Sequence, residues 1–471
     1  MPRQAPLLAV AAALAVLFSA QAAGGDGARL LFTGDVLLSR QVEVEISKTG
    51  RFPWEALADE FARADLVVGN LEGSVGTPAD CPVDGKGPCF AIAPSRIPLL
   101  ARARFGALTL ENNHAGDLGD AGRERTRTAA WAAGISPVDF ASGPTFFHVR
   151  GMTVALVALN LVPGRDGRVQ GIPSPEVRRA LRLASRLAGI VVVSVHWGEE
   201  LLDWPSEAQR EAARWLVANG ASLVVGHHPH VVQAASCVEG RPVFYSLGNH
   251  LFDQKYPATK EGLIADCRIE GGTLSCSALA TRTPPGSFRP APADGGPASA
   301  ATASLASCRV PLGPPLEVAG TPLRPSARGD AASLVLEGLR GGQVAFRSRP
   351  SQILSIEKAS LSPDGPPLLL TLERHPSPID GERGVRPYVY EVGPRGLVAR
   401  WRGSALAWPL VDATILPGTS LLCALHRGDS FLALDPAAPA SRAAVYRWNG
   451  FGFTGEDDAA QLAACRALWG L

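Results

Sequence analysis

The chain has no block of basic residues and no Cys-x-x-Cys pair. Past its first two dozen residues it also has no apolar run long enough to cross a membrane. Each absence excludes something. Forty-five Lys and Arg against 44 Asp and Glu leave a net charge of +1, spread along the chain, so nothing points to a nucleic-acid or acidic-membrane partner. Without Cys-x-x-Cys spacing, a structural zinc knot has no ligand frame. A membrane helix needs roughly 20 apolar residues, and none is found beyond the N-terminus. No clean internal repeat argues for a solenoid.

At 471 residues and 46% hydrophobic content, the chain is globular and too long for one ordinary core, so two domains are expected. Residues 1–23 read as an export signal. Arg3 supplies the positive charge, Leu7 to Phe18 the apolar stretch, and Ser19-Ala20-Gln21-Ala22 the small-residue cleavage pattern; the alternative is an uncleaved anchor. The mature protein is then periplasmic or extracellular. Eight cysteines suit that compartment. Gly271-Gly272 reads as a two-residue hairpin turn that sets Cys267 opposite Cys276, close enough to bridge. Cys81 and Cys89 bracket a Pro/Gly-rich loop and form a second candidate pair.

From 28 to 283 short apolar runs alternate with helical patterns, the signature of an α/β domain. Ala28–Phe32, Leu66–Val68, Ala107–Leu110, Met152–Leu159, Ile190–Val195 and Leu223–Val225 read as strands. Five strand ends present Asp35, Glu72, Asn113-His114, His196 and His228-His230, and ligands in such sheets bind beyond the carboxyl ends of the strands. Six of the nine histidines, leaving out His148, fall between His114 and His250. The stretch from Leu223 to Gln254 is the densest part. One apolar run breaks at Gly226 to present His227, His228 and His230; a second breaks at Gly248 to present Asn249 and His250, with glycine allowing the turn. Residues 284–315, rich in Ala, Pro, Gly and Ser, read as a linker. Residues 316–471 read as a β-rich second domain, sandwich or propeller-like. Its expected strands include Leu334–Leu336, Leu368–Leu372, Tyr388–Val392, Phe431–Leu434 and Val445–Trp448, ahead of a helix at Ala459–Leu468.

Asp35, Glu72, Asn113, His196, His228 and His230 form a mixed oxygen and nitrogen set that suits Mn, Fe or Zn better than Ca or Mg. One or two ions there would activate water at a phosphoryl centre, with His114 placed to protonate the leaving oxygen. His227, Asn249 and His250 are accessory candidates. Singly, each residue has a plainer reading: Gly-Asp as a turn, Glu72 as a solvated carboxylate, Asn113 as a helix cap, His196 as a core histidine. It is the convergence that carries the site.

Thr-Gly-Asp35-Val-Leu-Leu-Ser-Arg, Gly-Asn-Leu-Glu72-Gly, Asn-Asn113-His114 with Asp117-x-Gly119, His196-Trp-Gly-x-Glu, Gly226-His-His-Pro-His230-Val-Val-Gln and Tyr245-Ser-Leu-Gly-Asn resemble the CapA/PgsA capsule-synthesis, poly-γ-glutamate family of calcineurin-like metallophosphatases. The likeness covers about residues 29–270. It implies a four-layer αββα sandwich, which the strand pattern alone does not separate from a doubly wound sheet. It further implies a role in making, exporting or anchoring an anionic γ-glutamyl polymer. The implied partners are an anionic polymer or phosphorylated substrate, and other capsule-synthesis proteins at the membrane. The sequence departs from the wider pattern at Leu37, where the superfamily pairs the first Asp with a His, at Glu72, where Asp is usual, and at His250, where the capsule family commonly has Phe.

Overall fold

The computed structural model describes residues 27–471 except 84–86, 327–332, 363, 377–380, 382, 404–405, 407–408 and 429–440. The export segment expected over 1–23 and the strand expected over Phe431–Leu434 lie outside the described residues.

The chain opens with β1 (Ala28–Val36), α1 (Arg40–Thr49), α2 (Ala58–Ala62), β2 (Leu66–Leu71), β3 (Ser74–Val75), β4 (Ala91–Ile92), α3 (Ile97–Arg102), β5 (Phe105–Thr109), α4 (Gly119–Ala132) and β6 (Ser136–Val138). It continues through β7 (Thr145–Val149), β8 (Met152–Asn160), α5 (Pro175–Leu187), β9 (Ile190–His196), α6 (Glu207–Ala218), β10 (Leu223–His227), β11 (Ala235–Val238) and β12 (Arg241–Phe244). Then come β13 (Asn249–Leu251), β14 (Glu261–Glu270), β15 (Thr273–Arg282), β16 (Ala291–Pro292), α7 (Gly296–Leu305) and β17 (Val310–Pro311).

Two sheets organise this half of the chain. A nine-stranded sheet runs β16-β15-β14-β1-β2-β5-β6, with β13 beside β1 and β17 beside β15; a six-stranded sheet runs β11-β12-β10-β9-β8-β7. Their centres are parallel: β1, β2, β5 and β6 in the first, and β8, β9, β10 and β12 in the second. Parallel strands covered on both faces must be apolar throughout, and Ile190-Val-Val-Val-Ser-Val-His196 is buried at every position.

The pleat sorts alternate residues into different cores. Leu30 and Phe32 of β1 share one cluster with Leu156, Val192 and Val225 of the second sheet. Leu31 and Val36 join Val42, Phe61 and Ile97 from the α1–α3 side. Val191, Val193 and Val195 join Leu181 of α5 and Leu216 of α6. Helix starts are encoded locally. Ser174 caps α5 by accepting from Val177 N–H, and Ser206 with Gln209 makes a reciprocal capping box on α6, each worth about 1 kcal/mol.

Residues 284–315, expected as a linker, are packed structure. α7 buries Ala298, Ala301 and Leu305 in the cluster shared by the two sheets, β16 and β17 extend the nine-stranded sheet, and Cys308 is bonded to Cys237 of β11. The Ala/Ser-rich composition that reads as a linker lets this helix lie close to the sheets. Its proline sits in the first turn, where the missing N–H costs nothing.

Beyond it, a four-stranded sheet spans 316–347 and an eight-stranded antiparallel sheet spans 353–456, followed by a closing helix, Ala459–Trp469. The expected runs at Leu368–Leu372, Tyr388–Val392 and Val445–Trp448 lie within strands Leu368–Pro376, Arg383–Gly393 and Ser441–Trp448; Leu336 opens the strand Leu336–Arg340. This β-rich region meets the first half through α5. Arg179 donates to Val411 O at 2.6 Å, Arg182 pairs with Asp412 at 2.6 Å, and Leu323, Ile353 and Leu369 share the α5 core.

All eight cysteines are bonded, as Cys81–Cys89, Cys237–Cys308, Cys267–Cys276 and Cys423–Cys465. The Gly271-Gly272 turn has both φ values positive, at 55° and 75°, and sets Cys267 opposite Cys276. No described helix is long and apolar enough to cross a membrane.

Candidate metal centre

The carboxyl ends of β1, β2, β5, β9 and β10 meet at one edge, and the turns after them are fixed by close backbone approaches. A Cβ on Gly226 would come within 2.0 Å of Tyr245 O, so only glycine lets β10 pass there. Gly248 takes φ of 66° and its carbonyl accepts from Asp35 N–H at 3.1 Å. Gly226 does not take a positive φ; after β10 the left-handed backbone is carried by His228 (φ 97°) and His230 (φ 59°). A non-glycine residue held there is strained; the strain turns two imidazoles toward the strand ends.

Asp35 is fully buried. Its Oδ1 accepts from Asn70 Nδ2 at 2.8 Å and lies 3.2 Å from His227 Nδ1; its Oδ2 lies 3.3 Å from His230 Nδ1 and accepts from His228 N–H at 3.3 Å. Burial alone would raise its pKa, but the contacts with His227 and His230 outweigh it and hold the carboxylate well below its usual range. Glu72, immediately after β2, is equally buried. Burial drives its pKa well up, with the negative charges of Asp35 and Glu200 adding to the effect and His230 opposing it. Neither of its oxygens has a hydrogen-bond donor, and Oε1 lies 3.6 Å from His230 Nε2. One donor atom each from Asp35, Glu72 and His230 falls within 4.8 Å of the others.

A buried carboxylate without a donor is costly. Here it is gathered with a second carboxylate and an imidazole, as a divalent cation requires, so the residues fit a metal. For His230, burial pulls the pKa down, yet Glu72 and Asp35 carry it up to about 9. Asn249 Oδ1 lies 2.9 Å from its Nδ1, while Asn249 Nδ2 donates to Gln254 Oε1 and Thr259 O. With Nδ1 engaged there, Nε2 is the nitrogen presented to a ligand.

His196 and Asn113 face each other, Nε2 to Oδ1, at 2.9 Å, and the His196 ring centre lies 4.8 Å from that of His228. Burial first, then the neighbouring His228, holds His196 well below its ordinary value. His228 falls to about 3, chiefly by burial. Both imidazoles are therefore neutral near pH 7, the form that ligates. His114 stands beside this group. Its Nδ1 lies 2.9 Å from Asp117 Oδ2, and its ring stacks on Phe90 at 3.7 Å. Asp117 also accepts from Phe90 N–H at 2.7 Å.

The structure thus brings together Asp35, Glu72, Asn113, His114, His196, His227, His228, His230 and Asn249. It does not bring His250. That side chain accepts from Trp54 Nε1 at 3.0 Å, among Phe61 and Phe105, on the far side of β13. Successive residues of a strand face opposite sides, so Asn249 at the site sends His250 away. His148 lies outside the group, with Thr153 Oγ1 3.2 Å from its Nδ1.

Asn70 is a hub that sequence reasoning did not single out. It donates to Asp35, accepts from Thr109 Oγ1 and Asn112 Nδ2, and sits 3.3 Å from His196 Nδ1. Its signal in the sequence is the Gly-Asn-Leu-Glu block, where Asn70 lies two residues before Glu72. Leu37, where the superfamily offers a further ligand, is fully buried against Phe90 and Phe252.

Residues 29–254 match the family described as Bacterial capsule synthesis protein PGA_cap. The chain is 29% identical over 255 residues to the PGA biosynthesis protein CapA of Bacillus subtilis, covering 51% of this chain and 67% of that one. It is 27% identical over 284 residues to the capsule biosynthesis protein CapA of Bacillus anthracis, covering 55% and 69%. It is 26% identical over 266 residues to a probable polyglutamine synthesis accessory protein of Mycobacterium tuberculosis, covering 50% and 70%.

Proposed function

We propose, from the match of residues 29–254 to the bacterial capsule-synthesis family and the similarity to two CapA proteins, that the chain is an exported factor of capsule or poly-γ-glutamate synthesis, acting as a metal-dependent hydrolase on a phosphoester or γ-glutamyl bond. The names of its relatives, a PGA biosynthesis protein and a capsule biosynthesis protein, support the polymer. Four disulfides support export, since such bonds persist in oxidising compartments. The alternation of buried residues between three clusters supports a four-layer αββα arrangement of the first half.

The observation that carries the chemistry is the donorless Glu72 beside Asp35 and His230. In this reading Asp35, Glu72 and His230 hold a Mn, Fe or Zn ion, with Asn113, His196 and His228 completing the centre or holding a second ion. When bound, such an ion polarises the scissile oxygen and lowers the pKa of water. The chain's own residues do the rest. Asn70 fixes the Asp35 carboxylate, and Asn249 fixes the tautomer of His230. Asp117 orients His114 so that its Nε2 faces the leaving oxygen and hands it a proton. The partners are an anionic polymer or a phosphorylated substrate, together with other capsule-synthesis proteins at the membrane.

A second reading has a specific basis. Leu37 is core, so one ligand of a full two-metal centre is missing, and a reduced site would grip polymer without turnover.

Metal content of the purified mature chain, beside Asp35→Ala and His228→Ala, separates these. About two ions, lost in both variants, with turnover in a phosphoester and γ-glutamyl screen, support hydrolysis. About one ion without turnover supports the binding factor. No metal after re-addition refutes the hydrolase.

A further inference from the structure

The loop between β9 and α6 carries Glu200, whose charge acts on Glu72 and which is not among the ligands assigned above. This loop is built onto the histidine turn. Leu201 N–H donates to Pro229 O at 2.9 Å, between His228 and His230. Gln233 Nε2 donates to Leu202 O at 2.8 Å and to Trp204 O at 3.1 Å, and its Oε1 accepts from Gln209 Nε2 at 2.9 Å. Gln209 and Gln233 are both buried. The loop and the turn are therefore tied together by hydrogen bonds, although Glu200 itself is exposed. One donor atom each from Glu200, His228 and His230 lies within 4.8 Å of the others, a second three-ligand group that shares His230 with the Asp35–Glu72 group.

We propose that Glu200 is a cation ligand, closing the centre from its solvent side and supplying a carboxylate donor to a centre that lacks an imidazole at Leu37. Three features carry this. The donor set is nitrogen, nitrogen and carboxylate oxygen, which suits a divalent transition ion. Asp35 and Glu72 are fully buried at the ends of β1 and β2 while Glu200 is exposed, so the two groups of ligands that share His230 lie one toward the interior and one toward solvent. Finally, Glu199, adjacent and exposed, belongs to neither group of candidate ligands, so the placement is particular to Glu200.

The inference rests on the metal-dependent reading above and is tested apart from it. Zn²⁺ and Mn²⁺ are titrated into the metal-stripped mature chain against a chromophoric chelator, for the unaltered protein, Glu200→Ala, Glu200→Gln and Glu199→Ala. Co²⁺ absorption serves as a second readout. The expected result is affinity weakened at least about tenfold in both Glu200 variants, the range seen when support for a metal ligand is removed. A changed Co²⁺ visible spectrum accompanies it, Glu199→Ala matches the unaltered protein, and thermal unfolding of the stripped chains is unchanged. Equal affinity and spectrum in Glu200→Ala overturn the inference while leaving the metal reading intact. Equal weakening in Glu199→Ala overturns it as well, because the effect is then diffuse charge. An unaltered protein that binds neither ion refutes both.

Discussion

Replacing Cys237 and Cys308 together by Ala tests how the two sheets are held to each other. The bond joins β11, at the edge of the six-stranded sheet, to the residues just past α7, which packs with the nine-stranded sheet. It closes a 71-residue separation. The chain-entropy relation assigns such a loop about 4.4 kcal/mol of stabilisation through the unfolded state. The hairpin bond Cys267–Cys276 closes a separation of 9, for which the same relation gives about 2.6 kcal/mol. Both double variants also lose sulfur atoms from the same apolar cluster or its margin, so packing losses are similar and largely cancel in the comparison. The difference, about 1.8 kcal/mol, depends only on the two loop lengths. Urea unfolding under non-reducing conditions, followed by tryptophan fluorescence, measures it. The Cys237/Cys308 variant is expected to unfold at clearly lower urea than the Cys267/Cys276 variant. Equal midpoints, or the reverse order, would refute the entropic account and assign the stabilisation to native contacts.

Two further outcomes follow from single contacts. Asn249→Ala removes the oxygen that holds His230 Nδ1 and leaves that nitrogen with Asp35 Oδ2, 3.3 Å away, as its partner; metal affinity is expected to fall roughly 10- to 100-fold, and an unchanged chelator competition curve would contradict the tautomer argument. Burial lowers the pKa of His250 from 6.5 to about 3. The folded chain therefore rejects a proton that the unfolded chain accepts, so this contribution to stability is complete above pH 6.5 and is lost as pH falls toward 3. His250→Phe should cost about 1–3 kcal/mol near neutrality, because Trp54 Nε1 loses its acceptor, and should lessen the loss of stability on acidification. Parallel stability–pH curves for the two proteins would count against it.

Much of the site is legible because its determinants are local. An apolar run that breaks at Gly-Asp35 or at Gly226-His-His says that a strand ends there and what it presents. Partners far apart in sequence are not legible that way. Asn70 gains its role from Asp35, Asn112 and His196, which only the sheet order brings together. Cys237 and Cys308 are joined because α7 crosses to β11, and composition disguised α7 as a linker. Adjacency in the sequence groups His250 with Asn249, whereas the pleat sends the two to opposite faces. The division of the strands into two sheets is likewise invisible in a run of valines, since a strand covered on both faces reads the same in either architecture.

Helix α5 has apolar neighbours on two sides. Val177, Leu181 and Ala184 sit in one continuous core with β8 and β9 and with Ile353, Ile356 and Leu369 of the β-rich half. The change of sequence texture near residue 315 is therefore not a seam in the packing. A protein cut there would leave Arg179 and Arg182 without Val411 O and Asp412 and would bare the apolar flank of the helix that leads directly into the strand bearing His196. For expression and for mutational dissection, the unit that keeps the site's scaffold covered extends well past the residues that carry the family likeness.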